Sequence, residues 1–149
     1  MKIAKENGLK NVWVSNGFFS EKTFDLIAYY LDATNIDLKS SEDKFYIENC
    51  GARIQPILDN LIRIKKAGIW LEIATLSIPG LSDSKEMFEK IAKFIKDKLG
   101  AETPWHISRF SGEISWKLRD VPDTPLKTLE MAYDIGKKVG LKHIYLGNI

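Results

Sequence analysis

The run Lys66-Ala67-Gly68-Ile69-Trp70-Leu71-Glu72-Ile73-Ala74-Thr75-Leu76-Ser77-Ile78-Pro79-Gly80 changes period at its third residue. Before Gly68 the apolar residues Ile54, Ile57, Leu58, Leu61 and Ile64 recur at helical spacing; after it comes a short β-branched and aromatic stretch closed by the turn pair Pro79-Gly80. Glycine accepts the left-handed conformation that ends a helix, so the junction is helix, cap, strand. The same junction recurs at Gly8-Leu9 before Val12-Trp13-Val14, and at Gly140-Leu141 before His143-Ile144-Tyr145-Leu146.

Working outward, Phe24, Ile27, Ala28 and Leu31 form a second apolar stripe, Met87, Ile91, Phe94 and Ile95 a third, and Leu129, Ala132, Ile135 and Val139 a fourth. Ser20, Asp83 and Thr124 are suited to cap helix starts; Pro125 suits a first turn, and Glu86 makes a capping box with Asp83. Strands are expected at 11–15, 33–38, 69–76, 105–110 and 142–146. Strands alternating with helices imply a parallel sheet with right-handed crossovers, so the fold class is α/β, a series of βα units forming an open sheet or an arc of a barrel. Residues 1–7 look like the last turns of a helix that begins upstream. Residues 111–123 are the longest irregular stretch, a loop over the sheet edge or a lid. Its Trp116 either closes a pocket or packs on a neighbouring helix.

The chain has 149 residues, enough for one substantial core but not two comfortable ones. Its formal net charge is only +2, with lysines and acids interleaved, so no basic face recommends nucleic acid. No apolar run reaches the roughly 18 residues a membrane helix needs. With one cysteine, Cys50, there is no internal disulfide, and a reducing cytoplasm fits best. Neither zinc-like histidine spacing nor a cysteine cluster is present, which argues against a metal site.

In parallel βα folds the strand ends that lead into helices gather on one rim, where ligands bind. Ser15-Asn16-Gly17 follows the first strand; it is either a plain strand-to-helix turn or a set of small donors and acceptors for a polar ligand. In Asn35-Ile36-Asp37-Leu38-Lys39, alternation sends Asn35, Asp37 and Lys39 to one face. Asp37 and Lys39 there either form an internal salt bridge or serve a ligand, the acid at hydroxyls or an ion and the ammonium at a carboxylate or phosphate. A Schiff-base role for Lys39 is a third reading, and a carboxylate two residues away works against the uncharged amine it needs. Glu72 is an inward acceptor or a surface residue. His106 shares a strand face with Ser108 and is a packed side chain or a ligand contact.

The ordered set Val12-Trp13-Val14-Ser15-Asn16-Gly17-Phe18, Asn35-Ile36-Asp37-Leu38-Lys39, Phe45-Tyr46, Glu72 through Gly80, Pro104-Trp105-His106-Ile107-Ser108-Arg109-Phe110 and Tyr145-Leu146-Gly147-Asn148 resembles the C-terminal half of a radical S-adenosylmethionine enzyme. The nearest group is the AmmeMemoRadiSam-system proteins, relatives of pyruvate formate-lyase activating enzyme. The resemblance covers essentially the whole chain and implies part of a partial (β/α)6 TIM-like barrel. In such enzymes a [4Fe-4S] cluster binds S-adenosylmethionine and cleaves it to a 5′-deoxyadenosyl radical that takes hydrogen from a small-molecule or protein substrate. By matching positions, Ser15 and Asn16 would line the cofactor pocket, Asp37 and Lys39 would contact its ribose or methionine part, and His106 would approach from a later strand.

Departures from the pattern bear equally on function. The three-cysteine cluster loop and the Gly-Glu-Pro-type segment are missing, and Val14, followed by Ser15, stands where activating-enzyme relatives often carry an acid. The expectation is therefore residues 1–149 as the C-terminal portion of a radical domain, without its cluster-binding portion and inactive alone. It would complete itself with the missing N-terminal half or pair with a second copy through the exposed sheet edge. The rival readings are a self-sufficient βα nucleotide-binding module without redox chemistry, and a Schiff-base lyase using Lys39.

Overall fold

The computed structural model describes residues 1–149. Five parallel strands lie side by side in chain order: β1 (Val12–Ser15), β2 (Ala33–Asp37), β3 (Trp70–Ser77), β4 (Trp105–Arg109) and β5 (Ile144–Gly147). Between them run α2 (Glu21–Ile27), α3 (Asp43–Cys50), α4 (Gln55–Lys66), α5 (Lys85–Phe94) and α6 (Leu126–Val139), with a short α1 (Lys2–Glu6) in front. All five expected strands are present, and Gly8, Gly68 and Gly140 all take positive φ at the junctions where helices were read to end. Strict sequential order with every pair parallel makes the sheet an α/β arc, open at β1 and β5.

Only one face of the arc is covered. Thr34, Ile36, Leu71, Ile73, Thr75, Trp105 and Ile107 point to it and are buried, in one core with Leu61 and Ile64 of α4, Phe88 and Ile91 of α5, and Leu129 and Ala132 of α6. At its centre Trp105 donates Nε1–H to Thr75 Oγ1 at 2.9 Å, and Thr75 donates to Leu38 O at 2.8 Å. This chain of bonds satisfies two polar groups that would otherwise be costly to bury. Gly136 of α6 lets the helix close on this point, since a Cβ there would lie 2.6 Å from Ile144 Cδ1 and 3.2 Å from the Trp105 ring. The opposite face carries Val12, Val14, Asn35, Asp37, Trp70, Glu72, His106 and Tyr145, each exposed or half-buried.

Several details differ from the sequence reading. Ser84, not Asp83, caps α5, accepting from Met87 N; Asp83 is held by the preceding turn, where its Oδ1 accepts from Gly80 N. The capping box with Glu86 therefore does not form. Pro125 takes the cap position of α6 because Thr124 is turned inward, accepting from Phe110 N and donating to Ser77 O. Helix α3 carries no apolar stripe that would announce it in the sequence, since its eight residues bury only Phe45 and Tyr46. Trp116 neither closes a pocket nor packs on a helix; it is 81% exposed at the tip of the 111–123 loop.

Candidate functional site

The strand register arranges the open face into rows. Val14, Asn35 and Glu72 form one; Asp37, Ala74, His106 and Tyr145 the next; Leu76, Ser108 and Gly147 the one nearest the rim. Asp37 and His106 thus stand two strands apart, roughly 10 Å, with only the methyl of Ala74 between them. The result is a trough with an acid on one wall, an imidazole on the other and an apolar floor.

Lys39 overhangs this trough at the end of β2. Its Nζ donates to Asp37 Oδ2 at 2.7 Å, and the two side chains keep 36% and 38% of their surface exposed. The salt-bridge reading is thus present, but the pair is open enough to meet a ligand. Its ion pair also ties up the nitrogen that a Schiff base would need free. Backbone geometry at Lys39 is held from α3, since its N–H donates to the Tyr46 hydroxyl at 2.9 Å. Burial pushes that phenol up to about 12, so it stays a neutral hydroxyl throughout ordinary pH.

At the end of β1, Ser15 Oγ accepts from Gly17 N at 3.1 Å and Asn16 Oδ1 accepts from Phe18 N at 3.0 Å. These bonds build the turn itself, and Asn16 is exposed at its crest. The turn is clamped from α4 by Asn60, buried, whose Nδ2 donates to Gly17 O at 2.9 Å and Phe19 O at 2.8 Å. A cavity of about 160 Å³ brings Asn16 and Lys39 together with Tyr46 and Cys50. Ser15 is not among its lining residues, and His106 lies away from it across the trough.

His106 has a partner the sequence did not reveal. Its Nε2 lies 2.8 Å from Glu72 Oε2, while Glu72 Oε1 accepts from Trp70 Nε1 at 2.9 Å, and the Tyr145 ring stacks on the imidazole with centroids 5.1 Å apart. Glu72 is therefore an inward acceptor on the open face. The Trp70 hydrogen bond is the largest influence holding its carboxyl below the usual range, followed by opposing burial and then His106. A depressed acid contributes stability above its unfolded value, and that contribution is lost as pH falls through the folded one. Trp70→Phe is therefore expected to reduce the acid sensitivity of the fold below pH 4.5, Glu72's unperturbed value. Urea titrations at pH 6 and pH 3.5 measure this, and an unchanged difference between the two pH values would contradict it.

A cluster does not fit this chain. Cys50 is a lone, exposed thiol on α3, and nowhere do three or more His, Cys, Asp or Glu side chains converge as metal ligands. No helix is long and apolar enough to cross a membrane.

The parallel βα arc matches the fold of solved domains of radical S-adenosylmethionine proteins. It superposes with a TM-score of 0.84 on a domain of pyruvate formate-lyase activating enzyme from Bacteroides vulgatus, at 17% identity, covering 99% of this chain and 86% of that one. With a radical SAM methyltransferase from Sphaerobacter thermophilus the TM-score is 0.73 at 13% identity, over 94% of this chain and 41% of that one. No protein-family model matches. An uncharacterized protein of Methanocaldococcus jannaschii is 43% identical over 147 residues, 99% of this chain and 43% of its own length. The pyruvate formate-lyase-activating enzyme of Clostridium pasteurianum is 26% identical over 129 residues, 81% of this chain and 54% of the enzyme. The chain thus spans about half the length of the curated relatives it matches.

Proposed function

We propose that the chain is the C-terminal part of a radical S-adenosylmethionine enzyme of the AmmeMemoRadiSam type, supplying one wall of the cofactor pocket and part of the substrate wall. The observation that carries this reading is the trough between Asp37 and His106, overhung by Lys39, on the uncovered face of an arc with that fold. In this role Lys39 holds the methionine carboxylate as a point charge, and Asp37 accepts from ribose hydroxyls while keeping the ammonium in place. Ser15 and Asn16 shape the turn against which the cofactor lies. His106, oriented by Glu72 and Tyr145, offers a polar ring edge from the far wall. When bound, a cluster would supply the electron for sulfonium cleavage, and in this reading its ligands would come from a portion of the protein outside this chain.

That portion would pair along β1, the outer strand, whose Val12 and Val14 are 64% and 74% exposed. An edge of this kind favours either the missing half or a second copy of the chain. Sequencing the coding DNA upstream of Met1 tests the domain assignment. A three-cysteine loop followed by a Gly-Glu-Pro-like strand is expected, and a genuine start at Met1 with no such partner nearby would overturn it. Lys39→Met and Asp37→Asn are each expected to weaken S-adenosylmethionine binding about tenfold in the complete enzyme, the loss of one charge-assisted contact. Equilibrium dialysis measures it, and unchanged affinity in both would remove the pair from the pocket.

A further inference from the structure

Beside the trough lies a second, larger cavity of which the cofactor reading uses only Lys39. It measures about 250 Å³, and its wall is mainly apolar, made by Phe45, Leu76, Ile78, Leu81 and Leu118. Two ammonium groups, Lys39 and Lys117, also line it, and no carboxylate does. Lys39 is already met by Asp37. The Lys117 ammonium has only the Trp116 ring as a close neighbour, 5.9 Å from the ring centre.

The roof is a built structure. Leu118 N donates to Ser115 Oγ at 3.1 Å and Val121 N to Leu118 O at 3.1 Å, while Gly112 N donates to Asp123 Oδ1 at 3.0 Å. Gly112 admits no side chain, since a Cβ would lie 2.3 Å from Val121 O. Arg109 ties the base of the loop, donating from Nε to Thr124 O at 2.8 Å. Leu118 and Lys117 are therefore held over the cavity by the fold of the loop.

The geometry points to a binding site for a small apolar carboxylate, its body against Phe45, Leu76 and Ile78 and its carboxylate at Lys117. Apolar cavities of about 150 Å³ take up benzene, so this volume admits an aryl group with a short side chain. Lys117, the cation with no carboxylate partner, supplies the specificity, because a carboxylate gains a charge-assisted bond that a neutral isostere lacks. Because the cavity shares Lys39 with the proposed cofactor pocket, such a compound would lie beside the cofactor. Its identification as the substrate class rests on that reading; the binding itself does not.

The probe is 3-phenylpropionate, titrated into the 149-residue chain with the rate of Cys50 alkylation by iodoacetamide as readout. Cys50 is the chain's single thiol and lines both this cavity and the smaller one beside Asn16, so the Lys117→Gln variant, altered in this cavity alone, assigns the protection. Saturable protection of Cys50 is expected, with 3-phenylpropan-1-ol about tenfold weaker than the acid. Lys117→Gln, an exposed loop position, should weaken the acid about tenfold, leave the alcohol unchanged and leave S-adenosylmethionine affinity unchanged. Equal binding of acid and alcohol, no protection of Cys50, or full acid affinity in the folded Lys117→Gln variant would each overturn the site. Loss of S-adenosylmethionine binding alone, with the acid still bound, would instead count against the cofactor reading.

Discussion

Trp105→Ala is expected to destabilise the chain by about 3–5 kcal/mol, the range for truncating a large aromatic in a packed core. Trp105 is fully buried and touches α5 through Phe88, with ring centroids 6.3 Å apart, and α6 through the close approach at Gly136. The substitution empties that space and takes away the donor that Thr75 Oγ1 accepts from. Since domains of this size carry only about 5–15 kcal/mol in total, a large share of the margin is lost. Urea denaturation followed by far-UV circular dichroism measures the change. A shift under about 1 kcal/mol would mean that Trp105 is not the keystone between sheet and helices.

Gly17→Ala carries the second largest expected effect, about 2–4 kcal/mol from strain and overpacking combined. Gly17 has φ +75°, a left-handed conformation that side chains disfavour, and a Cβ would lie 2.8 Å from Ile36 Cγ2 and 3.0 Å from Ile57 Cγ2. Ile36 is fully buried beneath β2 and Ile57 almost so, leaving neither room to retreat. The turn must shift, and with it Ser15, Asn16 and the two carbonyls that Asn60 clamps. The expected signature is a lower urea midpoint together with changed amide shifts at residues 15–19. A variant with wild-type stability would show that the turn is softer than its packing implies.

The elements were legible because period and punctuation agreed. At Gly68 a helical stripe gives way to β-branched residues, and every such junction in the chain became a cap followed by a strand. The placement of Asn35, Asp37 and Lys39 on one face followed from strand alternation alone, and their half-burial against the full burial of Ile36 and Leu38 agrees with it. What alternation could not supply was which neighbour each side chain meets. Glu72 and His106 are 34 residues apart and joined only because β3 pairs with β4, so their contact depends on register. Asn60 sits among the buried residues of α4, and its role as a clamp depends on where α4 crosses the β1 turn. The cap at Ser84 was lost among Ser82, Asp83 and Ser84, three adjacent residues with similar capping ability, and only the turn at Gly80 selects between them. Lys117 and Leu118 stood in an irregular loop where no periodicity points inward.

In the proposed role the trough between Asp37 and His106 receives S-adenosylmethionine. This is tested most directly by titrating the ¹⁵N-labelled chain with S-adenosylmethionine to about 5 mM, enough to detect millimolar binding. Amide shifts that saturate at residues 15–17, 37–40 and 106–108, and that disappear in Lys39→Met, are the predicted result. Shifts confined to the helix-covered side of the sheet, or a full response in folded Lys39→Met, would contradict it.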